Sequence, residues 1–257
     1  MAVTFEGGAP VGFITLDKPP ANSYDFAFME EMGAAVDAAA ADDAVKAVIV
    51  RSGSKKFFCA GADIKAFLAN DTAGNMKMIE RGHAALAAIA EVPKVFIAQI
   101  EGHALGGGLE IALACDLRFG ARGTYKLGVP EVTLGLLPGN GGTQRLPRLI
   151  GVAKALDLMV TGRAVSPGEA HALGILNRLF AAGDTAAETL AYAERLAGGA
   201  TAAIGEIKRA TYEGMELPIA DALARERAGI EKLFATADAQ EGLSAFAEKR
   251  RAEFKGA

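Results

Sequence analysis

Two near-continuous apolar, β-branched runs, Val45–Val50 and Val95–Ile100, constrain this chain more than any other feature of its sequence. Apolar residues at every position suit a strand buried on both faces, as when helices cover both sides of a parallel sheet. The surrounding segments agree. Val11–Asp17 alternates apolar and polar positions and reads as a strand, ended by Pro19-Pro20. Phe28, Met29, Met32 and Val36 recur at helical spacing behind Asp25, which is the predicted N-cap. After the turn Ser52-Gly53-Ser54 the pattern predicts a helix over 76–90 and another opening at Gly106-Gly107-Gly108. A short strand follows at Leu117-Arg118-Phe119. Strands alternating with helices through residue 119 predict an α/β fold around a parallel or mixed sheet.

Beyond Pro130 the texture changes. Leu134–Gly142 is a Gly/Pro-rich loop, and nearly everything after Thr143 has helical periodicity, apart from a short strand at 175–180. The C-terminal stretch is Ala-rich, amphipathic and charged on one face. It suits either a solvated bundle or a surface that packs on neighbouring subunits. The expected organisation is a core over 1–195 and a helical region over 196–257, acting as one functional unit.

Composition removes several function classes. A hydrophobic content of 51% with a net charge of −4 rules out disorder. The 27 basic residues are outnumbered by 31 acidic ones, so there is no cationic excess for a nucleic-acid backbone, and no nucleic-acid partner is expected. No apolar run approaches the roughly 20 residues of a membrane span. Lys18 is the first basic residue and Glu6 precedes it, unlike a secretory or transit peptide, so the expectation is a cytoplasmic protein with no membrane partner. Cys59 and Cys115 lack metal-like spacing and read as buried free thiols. A G-x-G-x-x-G after the first strand, a Walker A lysine motif, a G-x-S-x-G elbow and an H-E-x-x-H pair are all missing. His83, His103 and His171 are scattered and read as structural.

Three segments carry chemistry. Phe57–Ile64 holds the small residues Ala60, Gly61 and Ala62 before a helix start, and His103–Glu110 repeats the arrangement around Gly106-Gly107-Gly108. Unpaired backbone N–H groups at two such turns are what an oxyanion hole requires. Glu110 sits one helical turn beyond Gly107 and interrupts an apolar stretch. Glu131 stands alone among apolar and small residues ahead of the loop Gly135–Gly142. Singly, Glu110 could complement a helix dipole and Glu131 could be a satisfied loop carboxylate. Together, beside two N–H donors, they are candidates for acid–base work on a polarised carbonyl compound.

Ala60-Gly61-Ala62-Asp63, Ala104–Glu110, Pro130-Glu131-Val132, Pro138–Leu146 and the tail Phe246–Arg250 resemble the crotonase superfamily, and within it the enoyl-CoA hydratases. The resemblance implies a β-β-α spiral core with a C-terminal helical trimerisation region, giving homotrimers or homohexamers. It implies an acyl-CoA thioester substrate, with coenzyme A part of that substrate, and neither a separate cofactor nor a metal. It maps the oxyanion donors onto the N–H groups of Ala62 and Gly107, and the catalytic carboxylates onto Glu110 and Glu131. Ala60, Ala62, Asp63, Ile64 and Lys65 fall in the CoA and thioester stretch, Gly139 beside the reacting carbons, and Lys249 near the CoA phosphates. The alternative for Lys249 is a solvated helix face. One departure stands out: Ser23-Tyr24 follows Asn22 where the family usually has Ala-Leu, in a segment bordering the CoA site.

The implied reaction is syn-addition of water to a trans-2-enoyl-CoA, giving a 3-hydroxyacyl-CoA in fatty-acid or related acyl-CoA degradation. Glu110 is expected ionised as the base and Glu131 protonated as the acid. The rivals are a Δ3-Δ2-enoyl-CoA isomerase, which needs mainly one carboxylate, and a non-catalytic or RNA-binding relative.

Overall fold

The two apolar runs pair with each other. In the computed structural model, which describes residues 1–256, they are neighbouring parallel strands with Ala47 opposite Val95 and Val50 opposite Ala98. The strands in chain order are β1 (Val3–Glu6), β2 (Val11–Leu16), β3 (Ala47–Ser52), β4 (Phe57–Cys59), β5 (Val95–Ile100), β6 (His103–Leu105), β7 (Leu117–Ala121), β8 (Leu127–Gly128) and β9 (Arg178–Phe180). They form a six-stranded sheet in the order β1-β2-β3-β5-β7-β9 and a three-stranded sheet β4-β6-β8. Only β1–β2 is antiparallel. Each long strand is thus followed by a short one: β3 by β4, β5 by β6, β7 by β8. The helices are α1 (Phe26–Ala41), α2 (Ile64–Ala69), α3 (Thr72–Glu91), α4 (Gly107–Ala114), α5 (Gly142–Ile150), α6 (Val152–Thr161), α7 (Pro167–Leu173), α8 (Thr185–Ala197), α9 (Thr201–Gly214), α10 (Ile219–Phe234) and α11 (Ala237–Glu248). This β-β-α winding is the predicted α/β crotonase-like architecture.

Successive strand residues point to opposite faces, and both faces are covered. Val48, Val50, Phe96 and Ala98 enter the main core with α1 and α3 residues such as Met32 and Leu86. Ile49, Ile97 and Phe119 face a second cluster with Ala193 of α8. That double burial explains the apolar runs. Helix α1 begins as predicted: the Asp25 carboxylate accepts the Phe28 N–H at 2.9 Å. Helix α9 is fastened to the core by Lys208, whose buried ammonium donates to Asp116 Oδ2 (2.8 Å) and to the carbonyls of Ile89 and Lys94.

The differences from expectation are local. Helix α3 starts at Thr72 rather than 76, because Asp71 caps it by accepting the Gly74 N–H. The strand expected over 175–180 shrinks to Arg178–Phe180, and the segment 131–134 is a 3-10 turn rather than loop. Strands β1, β4, β6 and β8 had no counterpart in the sequence pattern; the last three have only two or three residues each, too few for a period to register. Among the described residues no helix is long and apolar enough to cross a membrane.

Candidate active site

The small sheet explains why three distant segments meet. Parallel pairing of β4 with β6 sets Cys59 beside Ala104, so the turns leaving both strands emerge at the same end. Pairing of β6 with β8 sets Leu105 beside Gly128, and the Gly106 N–H donates to the Gly128 carbonyl at 2.8 Å. The 3-10 turn carrying Glu131 therefore leaves as a third neighbour. Gly106 has φ +56° and lies so close to this turn that a Cβ there would stand 2.8 Å from Glu131 Oε1. Only glycine serves at that position.

The two candidate amides are both left without a partner among the described residues, for different reasons. Gly107 opens α4, where no preceding turn accepts its N–H. Ala62 was expected at a helix start, but α2 begins only at Ile64. Ala62 instead forms an isolated bridge with Tyr24, in which Tyr24 N–H donates to Gly61 O and Asp63 N–H to Tyr24 O. A bridge of that pattern leaves the N–H of Ala62 itself unused. Asp63 caps α2, its Oδ1 accepting the N–H groups of Lys65 (2.9 Å) and Ala66, so that carboxylate is committed to the helix.

A cavity of about 730 Å³ opens over these turns. Of the residues expected at the site, Ala60, Ala62, Ile64, Glu131 and Gly139 line it, while Asp63, Lys65, Gly107, Glu110 and Lys249 do not. Apolar side chains including Phe67, Met76, Leu136 and Leu137 contribute to its lining. Lys249 is the exposed left-handed C-cap of α11.

Glu110 lies in the first turn of α4 and is only 1% exposed. Its Oε1 accepts two backbone N–H groups, from Asn140 and Gly142, each at 2.7 Å. Its Oε2 is buried with no protein partner, and so is Oε2 of Glu131. Burial pushes the Glu110 carboxyl up to about 7, against the pull of the Gly142 and Asn140 amides and with a further push from Glu131. Burial also raises Glu131. Both carboxyls are thus raised by burial.

Three supporting residues received no role from the sequence. Asn140 links the loop to Glu110 by its N–H and donates its amide to the Tyr24 hydroxyl at 2.7 Å. Arg145 holds that loop by donating to the Asn140 carbonyl at 2.9 Å. Tyr24 lines the cavity. The signals were present as the motif Pro138–Leu146 and the departure at Ser23-Tyr24. Each histidine hydrogen-bonds backbone: His83 with Gly139 O at 2.6 Å, His103 with Lys126 N–H and His171 with Leu176 O.

The model of the family described as enoyl-CoA hydratase/isomerase matches residues 6–257. The chain belongs to that family. A relative from Rhizobium meliloti, named a probable enoyl-CoA hydratase, is 42% identical over 246 residues, covering 95% of this chain and 94% of its own. Among solved structures, an enoyl-CoA hydratase from Geobacillus kaustophilus superimposes with a TM-score of 0.97 at 44% identity, covering 100% of this chain and 97% of its own. One from Bacillus anthracis gives 0.94 at 33% identity, with both chains fully covered. As a member of the enoyl-CoA hydratase/isomerase family, the chain has a cavity lined by Ala62, Gly106 and Glu131 and by apolar side chains, with Gly107 and Glu110 on the helix that starts next to Gly106.

Proposed function

We propose that this protein is an enoyl-CoA hydratase, adding water across the double bond of a trans-2-enoyl-CoA to give a 3-hydroxyacyl-CoA. The observation that carries the reading is the pair of buried, unpartnered carboxylate oxygens, Glu110 Oε2 and Glu131 Oε2, beside the free amides of Ala62 and Gly107. The thioester oxygen accepts from both amides, which stabilise the negative charge that builds on it and make the β-carbon electrophilic. Removing one such donor costs about 3–4 kcal/mol in comparable sites. Glu110 takes a proton from the water as its oxygen bonds to the β-carbon, and Glu131 delivers a proton to the α-carbon. The two carboxyls lie close enough to perturb each other, so they resist simultaneous ionisation, and the pair retains a proton for the second step. The apolar wall suits the acyl chain. The same reading makes the chain a homotrimer or homohexamer acting in acyl-CoA degradation.

The test is hydration of crotonyl-CoA, followed by loss of the enoyl-thioester absorbance. Glu110→Gln and Glu131→Gln should each lower kcat by roughly 100- to 10,000-fold. Near-normal turnover in both variants defeats the assignment. Conversion of a 3-enoyl-CoA without any hydration would mark the chain as an isomerase instead.

A further inference from the structure

Tyr24 occupies a position that its surroundings single out. The ring lines the cavity, although the residue is only 4% exposed. It packs on the Cα of Gly107, where a side chain at residue 107 would collide with the ring and hydroxyl. Its hydroxyl accepts a hydrogen bond from the Asn140 amide at 2.7 Å, and the backbone N–H of the same Asn140 donates to Glu110 at 2.7 Å. Gly82 of α3 lets the Asn140 side chain approach so closely, since a Cβ there would stand 2.5 Å from Asn140 Oδ1. The phenol is thus tied to the Glu110 carboxylate through one residue.

A phenol has one proton to give. With the Asn140 amide nitrogen donating to its oxygen, the Tyr24 O–H has no acceptor among the described residues, and Asn140 Oδ1 is left buried without a partner as well. The two carboxylates that electrostatically press on it, Glu110 and Glu131, each carry a buried oxygen with no partner. Burial and these two acids hold the Tyr24 hydroxyl well above its ordinary titration range, so it remains a donor across the working pH range. Glu110 does not itself line the cavity, whereas Tyr24 does.

We propose that Tyr24 is a third polar residue of the reaction centre, its hydroxyl donating a hydrogen bond to the water that Glu110 deprotonates and so fixing that water's lone pair toward the β-carbon. This rests on the hydratase reading above. Tyr24 keeps its proton throughout: the water oxygen bonds to the β-carbon, Glu110 takes the water's proton, and Glu131 gives its own proton to the α-carbon. The Asn140 contact holds the phenol in place.

Tyr24→Phe removes the hydroxyl and keeps the ring. It should lower kcat for crotonyl-CoA roughly 10- to 100-fold with KM unchanged, the loss expected for one hydrogen bond to a reacting group. Its acid limb in kcat/KM should move to higher pH, because a donor facing the carboxylates has gone. Asn140→Leu should act in the same direction, and the double variant should lose little beyond Tyr24→Phe alone, because the two side chains act as one unit. Wild-type kcat and an unmoved limb in Tyr24→Phe overturn the proposal. So does a raised KM with kcat intact, which would make Tyr24 only a wall for the acyl chain. If the wild-type chain hydrates no enoyl-CoA, the hydratase reading falls and this proposal with it; if it hydrates normally and Tyr24→Phe matches it, this proposal alone falls.

Discussion

At the scale of the residue, Glu110 is where function and stability pull in opposite directions. Its carboxyl is raised by burial from 4.5 to about 7. A folded chain with such a group keeps a proton that the unfolded chain has already lost. The resulting stabilisation is complete below about pH 4.5 and is lost as the pH climbs through about 7. The displacement corresponds to about 3 kcal/mol between those limits. Glu110→Gln keeps an oxygen for the Asn140 and Gly142 amides and removes the ionisation. Urea unfolding should therefore find this variant more stable than wild type at pH 8.5, by up to about 3 kcal/mol, and equal to it near pH 4.5; equality at both values would show that Glu110 titrates normally. Glu131→Gln provides the companion measurement. Glu131 helps to hold the Glu110 carboxyl up, so removing its charge should move the acid limb of the residual kcat/KM to lower pH than in the wild type. An unmoved limb would mean that the two acids do not feel each other.

At the scale of the element, the site depends on three strands of two or three residues each, β4, β6 and β8, which align three turns. Gly106 is the joint among them. Gly106→Ala puts a Cβ 2.8 Å from Glu131 Oε1 in a backbone region side chains rarely occupy. The strain should cost about 1–3 kcal/mol in urea unfolding, while kcat falls by more than 10-fold because Glu131 is displaced. Unchanged kcat alongside the stability loss would detach Gly106 from the chemistry. The same elements show what was legible beforehand. The long strands and α1 announced themselves by apolar period and by the Asp25 cap, because burial on two faces leaves a periodic signature. The short strands did not, since pairing rather than composition defines them. The carboxylates and glycine turns were readable as motifs. The link from Asn140 to Tyr24 was not, since it joins side chains 116 positions apart and exists only once the core has closed. Nor could sequence reveal that Asp63 is consumed as a cap or that Glu110 Oε1 is held by the amides of Asn140 and Gly142.

At the scale of the whole molecule, the outer helices carry apolar surface that the chain does not cover. On α6, Val152, Leu156 and Val160 are 71%, 51% and 59% exposed, and their spacing of four residues sets them in one stripe. Helix α10 repeats the pattern with Ile219, Leu223, Ile230 and Phe234 exposed, and Phe246 on α11 is 87% exposed. Scattered apolar residues on a surface need no explanation, whereas stripes along one helix face are the kind of surface that interfaces use. On the proposed reading as a homotrimer or homohexamer, light scattering coupled to size exclusion should return three or six times the mass of one chain. Introducing charge into the α6 stripe with Leu156→Glu and Val160→Glu should shift the population to smaller species, because a carboxylate buried in an apolar contact loses its hydration without a partner. Those residues do not line the cavity. If the site is complete within one chain, the dissociated variant should still hydrate crotonyl-CoA; if activity vanishes together with the oligomer, a neighbouring chain must help to form the site. A wild-type chain that remains monomeric at micromolar concentration would remove the oligomer from the account and leave the stripes as a surface for some other protein.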